Sequence, residues 1–222
     1  MARPLTPLEA RVLGVLVEKQ ATVPDTYPLS LNTLVAGCNQ KTARDPVLSA
    51  TDAEVLVAVD GLKRMSLLFE SSGGRVTRYE HNAVRGLNVP ASSVALLTVL
   101  MLRGPQTSAE LRANSERLHR FADIAAVEAL LEELADRFPP HAIKLARAPG
   151  AREARWAHLL CGEVQMTASH ELAASSDEDS VSVGELVALK FELSRQAAEI
   201  SELRALVLRM ATELGISPEP KA

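Results

Sequence analysis

Nine basic side chains sit where a polypeptide could meet phosphate. Lys41 and Arg44 occupy a polar turn, Cys38-Asn-Gln-Lys-Thr-Ala-Arg-Asp-Pro46, and Arg112, Arg117 and Arg120 occupy the matching stretch later in the chain. Arg75, Arg78, Arg152 and Arg155 flank two aromatic–histidine pairs, Tyr79/His81 and Trp156/His158. Guanidinium and ammonium groups on loops grip phosphate oxygens by charge, without reading base edges. Each aromatic and its histidine are two residues apart, so they share one face of a strand. Such a pair admits two roles. It can stack a base, or the ring can cover an aliphatic core while the histidine bonds a backbone carbonyl. Its presence twice in the chain favours the structural role. Arg78 has a structural reading too, as the partner of a carboxylate on a neighbouring helix.

Catalytic groups are not assembled by type or spacing. The five histidines are scattered, no Ser/His/Asp or Cys/His set stands out, and no glycine-rich phosphate loop is present. Cys38 and Cys161 have no metal-type spacing with each other or with a histidine. Cys38 lies late in an apolar helix and reads as a small buried residue. The expectation is a non-enzymatic chain with no catalytic residues, no metal and no cofactor.

The elements that would position these residues come in duplicate. Arg75-Val-Thr-Arg-Tyr-Glu-His81 recurs 77 residues later as Arg152-Glu-Ala-Arg-Trp-Ala-His158, and Leu5 to Leu16 aligns with Val89 to Leu100 at an offset of 84. The difference of 7 places extra loop in the first unit, at 22–29 or 41–46. In that unit the spacing predicts a helix over Thr6 to Lys19 and a short helix capped by Ser30. A third, capped by Thr51 or Asp52, carries Val55, Leu56, Val59 and Leu62 on one face. Strands follow at 67–70 and 75–81, around a Ser-Ser-Gly-Gly turn. The second unit repeats this with helices at 91–102, 107–114 and 124–137 and strands at 141–145 and 152–159. Three helices and a two-stranded hairpin are the winged-helix order, with the second and third helices forming a helix-turn-helix. The fold class is therefore mainly α with small β wings: two tandem winged-helix domains, 1–88 and 89–162, then a long C-terminal helix.

Residues 38–47, Cys-Asn-Gln-Lys-Thr-Ala-Arg-Asp-Pro-Val, together with Pro24-Asp-Thr-Tyr-Pro-Leu-Ser30, resemble the YceH-like family of bacterial proteins of unknown function. Arg78-Tyr-Glu-His81, Leu102-Arg-Gly-Pro-Gln-Thr107 and Glu110-Leu-Arg112 fit the same family, and the resemblance covers roughly residues 5–163. It implies tandem winged helices and brings no assigned ligand or catalytic residue. Ala43 departs from the pattern, since asparagine is expected there.

Charge argues against simple duplex reading. The net charge of −4 divides into +1 for residues 1–88, +1 for 89–162 and −6 for 163–222. The third helix of the first unit carries Asp52, Glu54 and Asp60, with Lys63 and Arg64 only at its end. The third helix of the second carries Glu128, Glu132, Glu133 and Asp136. Carboxylates there repel phosphates, and no fork of Arg, Lys, Asn or Gln stands ready to read purine edges. Residues 163–180 read as a flexible acidic linker. Over 181–216 a heptad stripe follows, with Leu186, Leu193, Ile200, Val207 and Leu214 at a positions and Leu189, Gln196, Leu203 and Met210 at d positions. Glu185 and Glu199 at g and Lys190 and Arg204 at e favour a parallel homodimer, the alternative being an amphipathic helix folded back on its own domains. No apolar run of ~18 residues is present and nothing resembles a signal peptide, so a cytoplasmic location away from membranes is expected. Two functional expectations follow. One is a DNA-associated regulator that holds duplex DNA through loop and wing arginines. The other is a non-catalytic adaptor that uses the same surfaces for a protein partner.

Overall fold

Helix α1 (Pro7–Thr22) starts where three local signals coincide. Thr6 accepts a hydrogen bond from the Glu9 amide, Glu9 returns one to the Thr6 amide, and proline sits at the first helical position. The computed structural model describes residues 3–71, 76–147 and 151–164. They lie within one compact unit, Met1–Met166. After α1 the chain makes a single 3-10 turn, Pro24–Thr26, then β1 (Leu29–Ser30), α2 (Leu31–Cys38) and α3 (Asp52–Arg64). The first half closes with β2 (Leu68–Ser71), β3 (Arg78–His81) and a one-turn helix, α4 (Ala83–Gly86). The second half runs α5 (Ala91–Arg103), α6 (Ser108–Ser115), α7 (Ile124–Ala135), β4 (Ala142–Lys144) and β5 (Trp156–His158). The protein is thus mainly helical with two small antiparallel sheets.

The duplication is explicit in the geometry. Capping boxes open α3 through Thr51 and Glu54 and α6 through Thr107 and Glu110. In the first sheet the order is β1-β3-β2, with Leu29 and Glu70 on either side of Tyr79. In the second, Lys144 faces Trp156 from one side, and Gln106 pairs with it from the other through Trp156 N to Gln106 O, 2.7 Å. Leu29 and Gln106 are 77 residues apart, the same offset as Tyr79 and Trp156. The caps of α1 and α5, Thr6 and Pro90, are 84 apart, whereas those of α2 and α6, Ser30 and Thr107, are 77 apart. The seven extra residues therefore lie between α1 and α2, around the 3-10 turn.

One continuous aliphatic core serves both halves. Helices α1 and α5 are buried almost all round, over residues 9–17 and 93–102, because each is flanked by its own half and by the other. They approach closely at Gly14, where a Cβ would stand 2.9 Å from Leu102 Cδ2. Backbone bonds cross between the halves as well: Leu5 N to Leu160 O at 2.7 Å, and Asp45 N to Leu102 O at 2.8 Å. The third helices bury matching residues, Val55, Val59 and Leu62 in α3 and Val127, Leu131 and Leu134 in α7. Leu56, expected on that inner face, instead points outward at 39% exposure, and Ala58 takes the buried position. Their places follow from the helical period: Ala58 lies four residues before Leu62 and three after Val55, whereas Leu56 lies off that stripe.

Candidate interaction surface

The basic residues of the 38–46 turn part company. Lys41 is exposed. Arg44 was expected on phosphate, and the structure corrects this: its side chain is 0% exposed. Its Nη2 lies 2.5 Å from Glu18 Oε2, Nη1 donates to Glu18 Oε1 at 3.1 Å, and Nε donates to Gly37 O at 3.1 Å. Arg11 lies beside it, also buried, donating from Nη1 to Cys38 O and from Nη2 to Pro46 O. Burial first, and then the Arg44 charge, hold the Arg11 pKa below the ordinary guanidinium value. Two guanidiniums thus tie the end of α2 and the following turn to α1, and Glu18 supplies the countercharge. The sequence held a clue to this arrangement. Arg11 and Glu18 are seven residues apart on an otherwise apolar stretch of α1, which puts them on one helix face.

The remaining cations are spread over loops and wings. Arg75 lies outside the described residues. Arg78 is exposed and donates to Pro28 O at 2.7 Å, so it braces β3 against the segment entering β1 and does not pair with a third-helix carboxylate. Arg112 is exposed and donates to Ala122 O at 3.1 Å. Arg155 is half-buried against Pro105 O. Arg117, Arg120 and Arg152 are exposed and make no side-chain hydrogen bond or ion pair among the described residues.

The aromatic rings belong to the core. Tyr79 is 5% exposed and Trp156 2%, which leaves neither face open to a base. The His81 bonding differs from the carbonyl contact expected. Its Nδ1 accepts the Ala83 amide at 3.2 Å, which leaves Nε2 as the protonated nitrogen, donating to Gln20 Oε1 at 2.7 Å. Burial pulls the pKa of both His81 and His158 down to about 4, so both are neutral at pH 7. His158 and Cys161 line a shallow cleft of about 200 Å³ with Leu100 and Pro105. Burial raises the Cys161 thiol to about 11 and the Cys38 thiol to about 12, so each holds its proton at neutral pH. Among the described residues no His, Cys, Asp and Glu side chains gather as a metal-binding group. No helix among them is long and apolar enough to cross a membrane.

The outer faces of the third helices are the broadest functional candidates, and they differ. That of α3 presents Ala53, Leu56 and Val57, the last at 73% exposure, between Asp52 at the start and Lys63 and Arg64 at the end. Glu54 is committed to the cap, and the Thr51 amide and hydroxyl hold its carboxyl below the usual range. Lys63 is engaged by Glu70 and, at 3.8 Å, by Asp60. On α7 the outer face is Ile124, Ala125 and Ala129 followed by Glu132 and Glu133, with Glu128 half-buried and bonded to Ser108 Oγ. The adjoining strands match: Phe69 on β2 and Ile143 on β4 are both exposed at the same register position, opposite Glu80 and Ala157. Sequence reasoning treated the third helices by charge and overlooked these apolar positions.

Fold and surface define a class: a duplicated, mainly helical protein whose conserved geometry is scaffold and whose exposed helix faces vary. The chain matches a family model described as "Protein of unknown function, DUF480" over residues 5–151. It is 62% identical to a UPF0502 protein of Leptothrix cholodnii, across 99% of this chain and all of the relative. It is 63% identical to a UPF0502 protein of Burkholderia pseudomallei, across 96% of this chain and 91% of the relative. The chain belongs to the DUF480/UPF0502 family of bacterial proteins, which agrees with the resemblance seen in its motifs.

Proposed function

We propose that the two halves are winged-helix modules and that the protein is a non-catalytic, cytoplasmic interaction module whose third-helix faces meet protein rather than DNA bases. The observation that carries this reading is the outer face of α3, where Val57 is 73% exposed beside Leu56 and the only cations stand at one end. In a winged helix this face would lie in the major groove, and aliphatic side chains flanked by carboxylates neither read base edges nor neutralise phosphates. They suit the apolar centre of a protein interface with a charged rim. The heptad stripe at 186–214, outside the described residues, adds a homodimer through a parallel coiled coil to this proposal.

A second reading has support of its own. Lys41, Arg112, Arg117, Arg120 and Arg152 are exposed on loops and wings and could track a duplex backbone as a regulator does. Titration against duplex DNA at several salt concentrations separates the two. The interaction module shows no salt-steep binding. Tight binding that weakens steeply with salt, with a slope reduced by about one for Lys41→Ala or Arg117→Ala, overturns it in favour of the regulator.

A further inference from the structure

The outer face of α3 is complementary to itself. Along its 13 residues it carries an acidic group at the first position, Asp52, an apolar middle of Ala53, Leu56 and Val57, and a basic end of Lys63 and Arg64. Asp52 and Arg64 are exposed and make no side-chain hydrogen bond or ion pair among the described residues. Asp60, the remaining charge on this face, has Lys63 3.8 Å away. The geometry points to a second copy of this chain as the occupant of the face, with two α3 helices packed antiparallel about a two-fold axis. Resting on the interaction-module reading, this names the partner of one of its two surfaces. In that arrangement Leu56 and Val57 of the two copies meet near the axis. Each Asp52 lies opposite the other copy's Arg64, about 18 Å along the helix at 1.5 Å per residue, and the helix dipoles oppose favourably. A two-fold contact requires the same patch on both sides to be its own complement, and α3 meets that condition.

The corresponding face of α7 does not. It begins at its Asp123 cap and ends in Glu132, Glu133 and Asp136, so antiparallel pairing would set carboxylates against carboxylates. The self-contact is therefore specific to the first half, and α7 is left for a different partner.

The test is oxidative crosslinking in the full chain. Val57→Cys places a thiol near the axis, and Ala129→Cys places one on the outer face of α7. Val57→Cys is expected to give a disulfide-linked dimer on mild oxidation, well above the parent chain and Ala129→Cys. Adding Arg64→Asp to Val57→Cys is expected to slow the crosslink about tenfold, since like charges then face each other. The exchange Asp52→Arg with Arg64→Asp is expected to restore it. The readout does not depend on a dimer held by the C-terminal stripe, which would not by itself juxtapose residue 57. Crosslinking of Val57→Cys no faster than Ala129→Cys, or indifferent to Arg64→Asp, overturns the self-contact and leaves the interaction-module reading in place. Salt-steep duplex binding, measured separately, is what overturns that reading.

Discussion

The two halves keep the same inside and differ outside. Val55, Val59 and Leu62 of α3 and Val127, Leu131 and Leu134 of α7 bury one stripe, and Tyr79 and Trp156 fill one position behind it. The outer stripes share no such likeness: Leu56, Val57 and Arg64 correspond in helix position to Glu128, Ala129 and Asp136. The central helices diverge as well. Helix α1 buries Glu9 and Arg11, whereas α5 buries Ser93 and Thr98. Packing tolerates only volumes that fill the shared core, while exposed positions are free to answer to partners. The comparison teaches that the first half was built around buried charge and the second around a nearly charge-free helix.

The largest expected effect tests whether the halves are one folding unit. Trp156→Ala removes the most deeply buried ring and should destabilise by about 4 kcal/mol. Because the core is continuous, urea denaturation should remain a single transition, and two separated transitions would break the picture of a shared core. Next comes the buried charge peculiar to the first half. Glu18→Ala leaves Arg44 and Arg11 without their countercharge and should lower stability by about 3 kcal/mol. A loss within 0.5 kcal/mol would show that the guanidiniums are satisfied by carbonyls alone.

Acid should act on both halves alike. His81 and His158 have folded-state pKa values of about 4, below the ordinary 6.5, so the unfolded chain takes up protons first. Stability is then complete above pH 6.5 and is lost as pH falls from 6.5 towards 4. The loss is about 2 kcal/mol or more per histidine at the acid end. Thermal melts from pH 7.5 to 4.5 should show this, and His158→Asn should flatten the curve. A profile unchanged by that substitution would assign the acid sensitivity elsewhere. The smallest effect concerns the backbone. The first half holds non-glycine residues in the left-handed region at Ala43 (φ 57°) and Ser66 (φ 57°), where the second half uses Gly104 (φ 73°) and Gly162 (φ 92°). Ala43→Asn should stabilise by about 0.5–1 kcal/mol in urea melts, because asparagine tolerates this conformation better than alanine. The asparagine expected at this position from family resemblance acquires a reason in that angle.

Much of this was legible in local chemistry. The caps at Thr6, Ser30 and Thr51, the hairpin of the second half and the repeat offset of 77 rest on contacts within a few residues or on pattern alone. Two elements escaped because their cause is distant or their length slight. The two residues of β1 form a strand only because Tyr79 and Arg78 come alongside from fifty positions away, and α4 is a single turn. Of the candidate site, the charges were legible and their exposure was not. Arg44 looks like a loop cation until Glu18, 26 residues earlier, is found against it. Leu56 looks like core until the helix phase is fixed by Ala58.

The bond from Leu5 N to Leu160 O has a topological meaning. Pro4 and Gly162 lie against each other beside it, so the unit is entered and left at one seam. The fold is in effect a ring that happens to be opened there. A short peptide joining residue 3 to residue 164 would close it, and new ends could be cut at an exposed wing turn without breaking any buried contact. Two proteins fused to the opposite ends of this unit would emerge side by side rather than at its poles.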